Sequence, residues 1–418
     1  MDFTPAARTT SLAERLKRFL VERVYPAEPV FYEQIKASGD PHRHPQVIED
    51  LKAEARSRGL WNLFLPHKTE WNEPLSNLDY APLAELTGRS LIAPEALNSA
   101  APDTGNMELL TMFGTPEQQE RWLKALLAGE IRSTYVMTEP AVASSDASNI
   151  STRIERVGDE YVINGRKWWI SGPGRRDRCK LAILLGVSDP GNEDRHRRHS
   201  MVLIPLGTPG IEIVRDLDVF GYNQFESHTE MTFTDVRVPV DNLLGDEGAG
   251  FAMAQARLGP GRIHHCMRQI GAAERAIDLM VDRAESRVAF GKPLIDQGVI
   301  RDMIAMSRIE VDQARLYVLY TAWLMDTVGN REAASQISGI KVAVPRMAGT
   351  VIDRAIQVHG AAGLCEDFPL ARLYAETRIV RIADGPDEVH IRGVARAEVR
   401  NRALHRVAAD KHAPAAAT

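Results

Sequence analysis

The spacing of apolar residues divides the chain into three parts. From Leu12 to about Glu130, apolar residues recur between Leu-, Ala-, Glu-, Lys- and Arg-rich stretches, which predicts helices separated by turns. Between Ser133 and Val238, short β-branched and aromatic runs alternate with Gly, Pro, Asp and Asn, as is typical of a small antiparallel β domain. Helical periodicity returns from Gly250 onward. The predicted order is therefore helical, β, helical.

Local signals refine both helical parts. Thr115, Pro116 and Glu117 form a helix-opening arrangement. In the last part, apolar residues at three- and four-residue steps define one helix face and favour a four-helix bundle: Ile300, Met303, Ile304, Val311, Ala314 and Val318.

The fold class is predicted to be mainly α with a β middle domain. The predicted boundaries are an N-terminal helical domain over 1–131, a small antiparallel β barrel or sandwich over 132–244 and a C-terminal helical bundle over 245–405. A frayed tail is predicted over 406–418, where the final HAPAAAT offers little to bury.

Composition excludes several classes of protein. Hydrophobic residues make up 44%, charged residues 26% and the net charge is −5, without long runs of one sign, so neither nucleic acid nor a membrane surface is an expected partner. The run from Leu181 to Val187 is far shorter than the ~20 residues that span a bilayer. The first ten residues lack the apolar core of a secretory signal, so a cytoplasmic location is expected.

Cysteine spacing and the absence of two glycine motifs disfavour several kinds of binding site. Cys179, Cys266 and Cys365 are far apart and show no CxxC spacing, so each is predicted to be a buried small hydrophobe, and neither a disulfide nor a metal site is predicted. The chain contains no GxGxxG and no GxxxxGK[ST], and strands do not alternate with helices. A nicotinamide-dependent Rossmann enzyme or a P-loop enzyme is therefore disfavoured.

Three stretches carry candidate chemistry: YVMTEPAVASSD from Tyr135 to Asp146, INGRKWWISG from Ile163 to Gly172, and IADGPDEVH from Ile382 to His390. The last places the carboxylate of Asp384 on a Gly-Pro turn, from which it can reach into a pocket. The same turn also suits the opening of a helix, with Pro at its start and acidic residues in its first turn. Adjacent aromatic residues on a strand face opposite sides, so one Trp of KWW is expected in the core.

Together these stretches resemble the acyl-CoA dehydrogenase family, in order and from the first helix to about Ala403. The sequence is most similar to the branch that in animals is fused to a phosphotransferase-like domain, of which only the dehydrogenase part is present. The resemblance implies a helical domain, a β barrel and a four-helix bundle, and FAD as the cofactor.

The resemblance also implies flavin contacts. The usual TEPGxGSD is TEPAVASSD here, longer by one residue, and Ser145 is preferred over Ser144 for the position that faces FAD and substrate. Fixed donors along this stretch stabilise negative charge on a reduced flavin, Trp169 lies against the ring and the Ser171 hydroxyl lies near N5. The implied contacts are Tyr135, Val136, Met137, Thr138, Ser145, Trp169, Ile170 and Ser171.

Two further stretches resemble segments that reach the FAD of a neighbouring subunit, which implies a homodimer or homotetramer. In SRVAFGKPL, Arg287 and Phe290 match, and a guanidinium suits the pyrophosphate. In IQVHGAAG the match is Gln357, Gly360 and Ala361. Simpler interpretations are a helix end capped by glycine and tight helix packing.

For catalysis, Asp384 matches the position of the Glu that removes the substrate α-proton in many members. Asp is shorter by one methylene, so the turn or the substrate must lie closer. Other branches place this base on the helix predicted to begin near Gly261, where a glycine cannot serve. Arg262 and Gly385 match substrate-facing positions. Pro386 and Glu388 match positions that contact FAD, where Thr and Gln are more usual.

Two neighbouring histidines follow on that helix. His264 and His265 point about 100° apart and do not form a metal pair, so packing or solvent exposure is expected for both.

The implied function is FAD-dependent conversion of an acyl-CoA into its trans-2-enoyl-CoA, with Asp384 as base, flavin N5 as hydride acceptor and an electron-transfer flavoprotein as electron acceptor. The thioester oxygen is expected to meet the Asp384 backbone amide and an FAD ribityl hydroxyl. Two alternatives remain open: a nitroalkane-oxidase-like flavin oxidase, and a non-catalytic FAD- or CoA-binding paralogue suggested by the altered TEP loop.

Overall fold

A computed structural model describes residues 2–222 and 227–411, with side chains omitted at 260 and 404–411. Of the predicted frayed tail over 406–418, residues 406–411 belong to the last helix, Asp387–Lys411, and residues 412–418 lie outside the described residues. The predicted fold class is confirmed, with a helical part, a β part and a second helical part in that order. The domain boundaries at 131 and 244 stay predictions.

The N-terminal part consists of helices separated by short turns. The Thr115 side chain accepts from the Gln118 amide in a capping box, which confirms the predicted helix start. The helices are α1 (Ala7–Phe19), α2 (Tyr25–Ser38), α3 (Gln46–Ser57), α4 (Asn77–Thr87), α5 (Ala93–Ala96), α6 (Asp103–Phe113), α7 (Pro116–Gln118) and α8 (Lys124–Leu127), with π-helical turns at Leu20–Val24 and Gln119–Leu123.

The middle part is one mostly antiparallel sheet in the order β6-β7-β3-β2-β4-β5-β8, with β1 beside β4. Its strands are β1 (Arg132–Val136), β2 (Arg153–Val157), β3 (Glu160–Ser171), β4 (Cys179–Val187), β5 (His199–Pro205), β6 (Ile211–Asp216), β7 (His228–Pro239) and β8 (Leu243–Leu244). The pairing of β1 with β4 is parallel, as is a single bridge between β2 and β4. Apolar alternation did not predict these parallel contacts, because it reports the face of a strand and not its direction.

The C-terminal part packs long helices against one another and against α4. It contains α9 (Gly250–Ser286), β9 (Val288–Ala289), β10 (Lys292–Pro293), α10 (Gly298–Val328), α11 (Ala334–His359), α12 (Leu370–Val380) and α13 (Asp387–Lys411). The predicted apolar face of α10 is confirmed: Val311 and Val318 are buried. Helix α9 begins at Gly250 and not near Gly261, because the chain stays helical through its glycines despite their low propensity.

The predicted burial of the cysteines is right for two of the three. Cys179 and Cys266 are buried, whereas Cys365 is exposed. The prediction fails at Cys365 because this residue follows the surface turn Gly360–Leu364, where the chain offers it no core to enter.

Helices α4 and α9 cross at two glycines. A Cβ built at Gly271 would lie 1.8 Å from the backbone oxygen of Glu85, and one built at Gly88 would lie 1.9 Å from the backbone oxygen of Arg268. Both contacts are far inside van der Waals distance, and a backbone atom cannot swing aside. Glycine at these positions therefore lets the N-terminal part approach α9 closely.

Gly271→Ala is expected to destabilise the protein by about 1–3 kcal/mol, because overpacking at a fixed crossing forces the helices apart. Gly298→Ala is the matched control, since a Cβ at Gly298 meets nothing within 4 Å. Chemical denaturation of both variants measures the difference. An unchanged midpoint for Gly271→Ala would contradict the close approach of the two helices.

Candidate active site

A cavity of about 2280 Å³ opens where the three parts of the described chain meet. The end of β1 and the Trp-Trp segment of β3 form one side, while α9 and the turn between α12 and α13 form another. Asp384, Arg262 and Gly385 line it together with Tyr135 and Trp169. The structure thus brings the three stretches of candidate chemistry to one site.

Asp384 lies on a turn with a left-handed backbone. Its φ is 55° and that of Gly385 is 101°, a region that Asp tolerates better than most residues and Gly adopts freely. The backbone oxygen of Asp384 accepts from Arg262 Nε at 3.1 Å and lies 3.2 Å from His390 Nε2. Side chains from α9 and α13 therefore fix the backbone of the candidate base.

Buried charged residues hold the rest of this turn. Lys341 is fully buried on α11 and donates to the backbone oxygen of Val380, with the Gly385 oxygen 3.5 Å away. The Asp387 carboxylate accepts from Arg346 at 2.9 Å and from Arg381 at 3.0 Å. Helix α13 begins at Asp387. This segment therefore both starts a helix and supports the turn that carries the Asp384 carboxylate.

The carboxylate of Asp384 faces α9. Its Oδ2 lies 3.4 Å from His265 Nε2, and a Cβ at Gly261 would be 3.4 Å from the same oxygen. Burial raises the pKa of Asp384, but interactions with His265 and then with Arg257, Lys341 and Arg262 lower it and leave this pKa below its usual value. The carboxylate is therefore ionised at neutral pH, as a general base must be.

His265, for which packing or solvent exposure was predicted, lies beside the candidate base, with Nε2 3.4 Å from Asp384 Oδ2. The i, i+4 spacing from Gly261 places His265 one helical turn along, on the face that carries the glycine, and so beside Asp384. That spacing was a usable signal in the sequence. Burial lowers the pKa of His265 to about 4, so its ring is neutral at pH 7. His264 does pack, buried against the ring of Tyr80.

The end of β1 and the loop after it supply part of the cavity wall. Tyr135, Met137 and Thr138 line the cavity, and the Thr138 hydroxyl donates to the Trp168 backbone oxygen at 2.5 Å. The side chain of Val136 is buried in the core of the sheet, so only its backbone is available to a ligand. The Tyr135 hydroxyl oxygen is buried and has no hydrogen-bond partner among the described residues.

A bulge in β3 interrupts the alternation of strand faces at the two tryptophans that line the cavity. The β3–β7 register shifts between Lys167 and Ile170, and Trp169 has a φ of 53°. Trp168 and Trp169 consequently both line the cavity, while Ile170 enters the sheet core. The expectation that one Trp lies in the core is wrong, because a bulge interrupts the alternation of faces. Trp169 keeps 43% of its surface exposed, a flat wall suited to an aromatic ring.

The two candidate serines differ in environment. Ser144 Oγ accepts from the Glu139 backbone N–H at 2.9 Å and so closes the loop. Ser145 is exposed and lines the cavity, with its hydroxyl facing a space that a ligand can enter. On the opposite strand, Ser171 Oγ lies 3.0 Å from His228 Nδ1, and burial lowers the pKa of that histidine to about 4.

Several predicted cofactor residues lie away from this cavity. Phe290 is fully exposed at the tip of the β9–β10 hairpin, and Arg287 begins that hairpin after α9 ends at Ser286. The interpretation of Gly291 as a helix cap is therefore wrong, because it lies in the hairpin turn. Four further predicted cofactor residues lie outside the cavity lining and are exposed: Gln357, Gly360, Ala361 and Glu388. Pro386, in contrast, lines the cavity.

The cavity lies between two helical parts and a β part, and an ionised carboxylate and an exposed tryptophan both line it. This is the arrangement of a cofactor-dependent oxidoreductase of the acyl-CoA dehydrogenase fold. Three family models match in sequence: the acyl-CoA dehydrogenase N-terminal domain over 8–130, the middle domain over 134–236 and the C-terminal domain over 248–399. The chain belongs to the acyl-CoA dehydrogenase family.

Individual relatives agree with this assignment. The chain is 56% identical over 401 residues to the probable acyl-CoA dehydrogenase FadE2 of Mycobacterium tuberculosis, covering 96% of this chain and 97% of FadE2. It is 50% identical over 394 residues to human acyl-CoA dehydrogenase family member 11, covering 93% of this chain but only 50% of that protein. The chain thus spans about half the length of this animal relative.

The fold is likewise shared with solved structures. The structure of a presumed acyl-CoA dehydrogenase from Mycobacterium abscessus superposes with a TM-score of 0.92 at 48% identity, covering 96% of this chain and all of the other. The prediction of FAD as cofactor is confirmed for the family, whose fold is known in complexes with FAD and FADH2. In the described part of the chain, the helices are too short or too polar to cross a membrane.

Proposed function

We propose that this protein oxidises an acyl-CoA thioester to its trans-2-enoyl-CoA, with Asp384 as the base that removes the α-proton. The observation that carries the proposal is an ionised carboxylate fixed on a turn inside the shared cavity, with its backbone held by Arg262 and His390. A general base must be deprotonated and fixed within reach of its proton. Arg262 and His390 fix the backbone of Asp384, and this support lets its short side chain stay within reach of the proton.

The cavity wall is chemically suited to FAD. The exposed Trp169 offers a ring face, and the exposed Ser145 offers a polar side chain at the cavity wall. Tyr135, Met137, Thr138, Ser145, Trp169, Ser171 and Pro386 would hold the cofactor, with the backbone of Val136 and Ile170 behind them. When bound, FAD supplies the acceptor for the β-hydrogen, which leaves the substrate as hydride.

The residues of this chain supply the other half of the reaction. Asp384 takes the α-proton, and its backbone N–H would donate to the thioester oxygen as charge develops there. Arg262 and Gly385 border the same part of the cavity and would position the thioester. The absence of a side chain at Gly261 leaves the space next to the Asp384 carboxylate for the substrate α-carbon.

The exposed hairpin and turn support assembly into a homodimer or homotetramer. Phe290 is a fully exposed aromatic, and Arg287 and Gln357 are exposed without lining the cavity of their own chain. These residues, with Gly360 and Ala361, would contact the FAD of a neighbouring subunit. Glu388 is exposed at the start of α13 and would lie at the edge of the cofactor site.

The test is an anaerobic titration of the FAD-loaded protein with short, medium, long and branched acyl-CoAs, followed by absorbance. We expect one class to bleach the flavin band, and an electron-transfer flavoprotein to restore it faster than oxygen does. Rapid restoration by oxygen would favour the oxidase alternative. A flavin band that no acyl-CoA bleaches would contradict the proposal and favour a non-catalytic paralogue.

A further inference from the structure

The Asp384 carboxylate has a neighbour on α9 that the proposed reaction does not yet use. His265 Nε2 lies 3.4 Å from Asp384 Oδ2, and both residues line the cavity. Their side chains are 22% and 19% exposed, so the pair is largely shielded from water but open to the ligand space. Because an ionised carboxylate only accepts hydrogen bonds, the neutral imidazole must carry its proton on Nε2 to bond it.

Side chains of three residues contact Asp384. Arg262 and His390 bond the backbone oxygen of Asp384, and His265 approaches its carboxylate. The first two contacts hold the backbone from which the side chain starts. Of these three contacts, the third reaches the carboxylate itself and so bears on its rotamer.

The short side chain makes this selection important. The side chain of Asp is one methylene shorter than that of Glu. A wrong rotamer of Asp384 would therefore carry its oxygens out of reach of the substrate α-carbon. Displacing a reacting group by about 1 Å costs on the order of 100-fold in rate. The bare backbone at Gly261, one turn before His265, leaves the selected position sterically open.

We propose that His265 is a positioning residue for the base: its neutral imidazole donates from Nε2 to Asp384 Oδ2 and holds the carboxylate toward the substrate α-carbon. This inference rests on the proposed function. It adds a residue that is not itself required to exchange a proton with the substrate.

Other charged groups face this pair and set its titration. Arg257, Arg268 and Lys341 oppose protonation of His265, and Asp384 favours it. Burial acts in the same direction as these cations, and together they outweigh Asp384 and lower the pKa of His265 to about 4. The hydrogen bond from the neutral ring thus stabilises ionised Asp384 throughout the neutral pH range, and its loss should raise the pKa of Asp384.

The test compares His265→Leu, which lacks a donor, with His265→Gln, whose side-chain amide can still donate. In anaerobic stopped-flow reduction by an acyl-CoA that reduces the wild type, His265→Leu is expected to lower the limiting rate about 10- to 100-fold, with little change in substrate affinity. The acid limb of its pH–rate profile should move to higher pH. His265→Gln should recover most of the rate and the original profile.

Crystal structures of the FAD-loaded wild type and His265→Leu provide a readout that does not depend on turnover. We expect a single Asp384 rotamer in hydrogen-bond contact with His265 in the wild type, and a turned or disordered carboxylate in the variant. An unchanged rotamer in the variant, or unchanged reduction kinetics and pH profile, would overturn the positioning role. Failure of the wild type to react with any acyl-CoA would instead overturn the proposed function, while the rotamer comparison would still decide the inference.

Discussion

Asp384→Asn is expected to retain FAD and to bind acyl-CoA but to lose flavin reduction by on the order of 1000-fold or more, the scale of a missing general base. The amide is nearly isosteric, so the turn held by Arg262, His390 and Lys341 should persist. It cannot accept the α-proton at neutral pH. The measurement is the limiting rate of anaerobic flavin reduction by stopped flow.

Two controls separate the loss of the base from damage to the cavity. The visible spectrum of the bound flavin and the affinity for a product enoyl-CoA should match those of the wild type, which shows that the cavity is intact. Asp384→Glu keeps a carboxylate but extends it toward the space beside Gly261, so it should retain more activity than Asn. Unchanged reduction kinetics in Asp384→Asn would exclude Asp384 as the base.

Glu95→Gln is expected to cause the largest loss of stability, about 3–5 kcal/mol, because it removes the carboxylate that pairs with three buried cations. Glu95 lies 2.8 Å from Lys52 and 2.5 Å from Arg132, and also pairs with Arg175 at 3.3 Å. All four side chains are at most 3% exposed. The cluster joins α3 and α5 to β1 and the segment after β3, so its loss loosens the wall of the cavity.

The stabilising effect of Glu95 should also depend on pH. Burial opposes ionisation, but Arg132, Lys52 and Arg175 hold the pKa of Glu95 well below its usual value in the folded protein. Its contribution is therefore present above the pKa of an unfolded Glu, near 4.3, and is lost as pH falls below that range.

Urea denaturation at neutral pH measures this effect. The matched control is Glu14→Gln, which removes an exposed ion pair with Lys17 on α1 and should leave the midpoint unchanged. A Glu95→Gln midpoint equal to that of the wild type would show that the buried cations find other partners, and would contradict the role of Glu95 as the centre of the cluster.

Local patterns in the sequence predicted the architecture well because helix starts and apolar helix faces depend on residues that are neighbours along the chain. The capping box at Thr115 and the buried stripe of α10 formed as expected. The helix predicted to begin near Gly261 begins eleven residues earlier, at Gly250, because the packing of a long helix overrides the low helix propensity of its glycines.

At the site, the motifs located the segments but not the contacts between them. Asp384 lies in the cavity as expected, while the contribution of His265 depends on how α9 passes the turn before α13, a relation between residues 119 positions apart. The bulge at Trp169 likewise depends on pairing with β7 and turned both tryptophans toward one side. Such long-range register does not appear in local spacing.

The most direct test of the central claim is a single turnover of the FAD-loaded protein under anaerobic conditions, with an acyl-CoA that bleaches its flavin. Mass spectrometry of the quenched mixture then identifies the product. The account predicts one trans-2-enoyl-CoA formed for each flavin reduced, at a rate that collapses in Asp384→Asn. Flavin reduction without enoyl-CoA, or enoyl-CoA formed equally fast by the Asn variant, would contradict it.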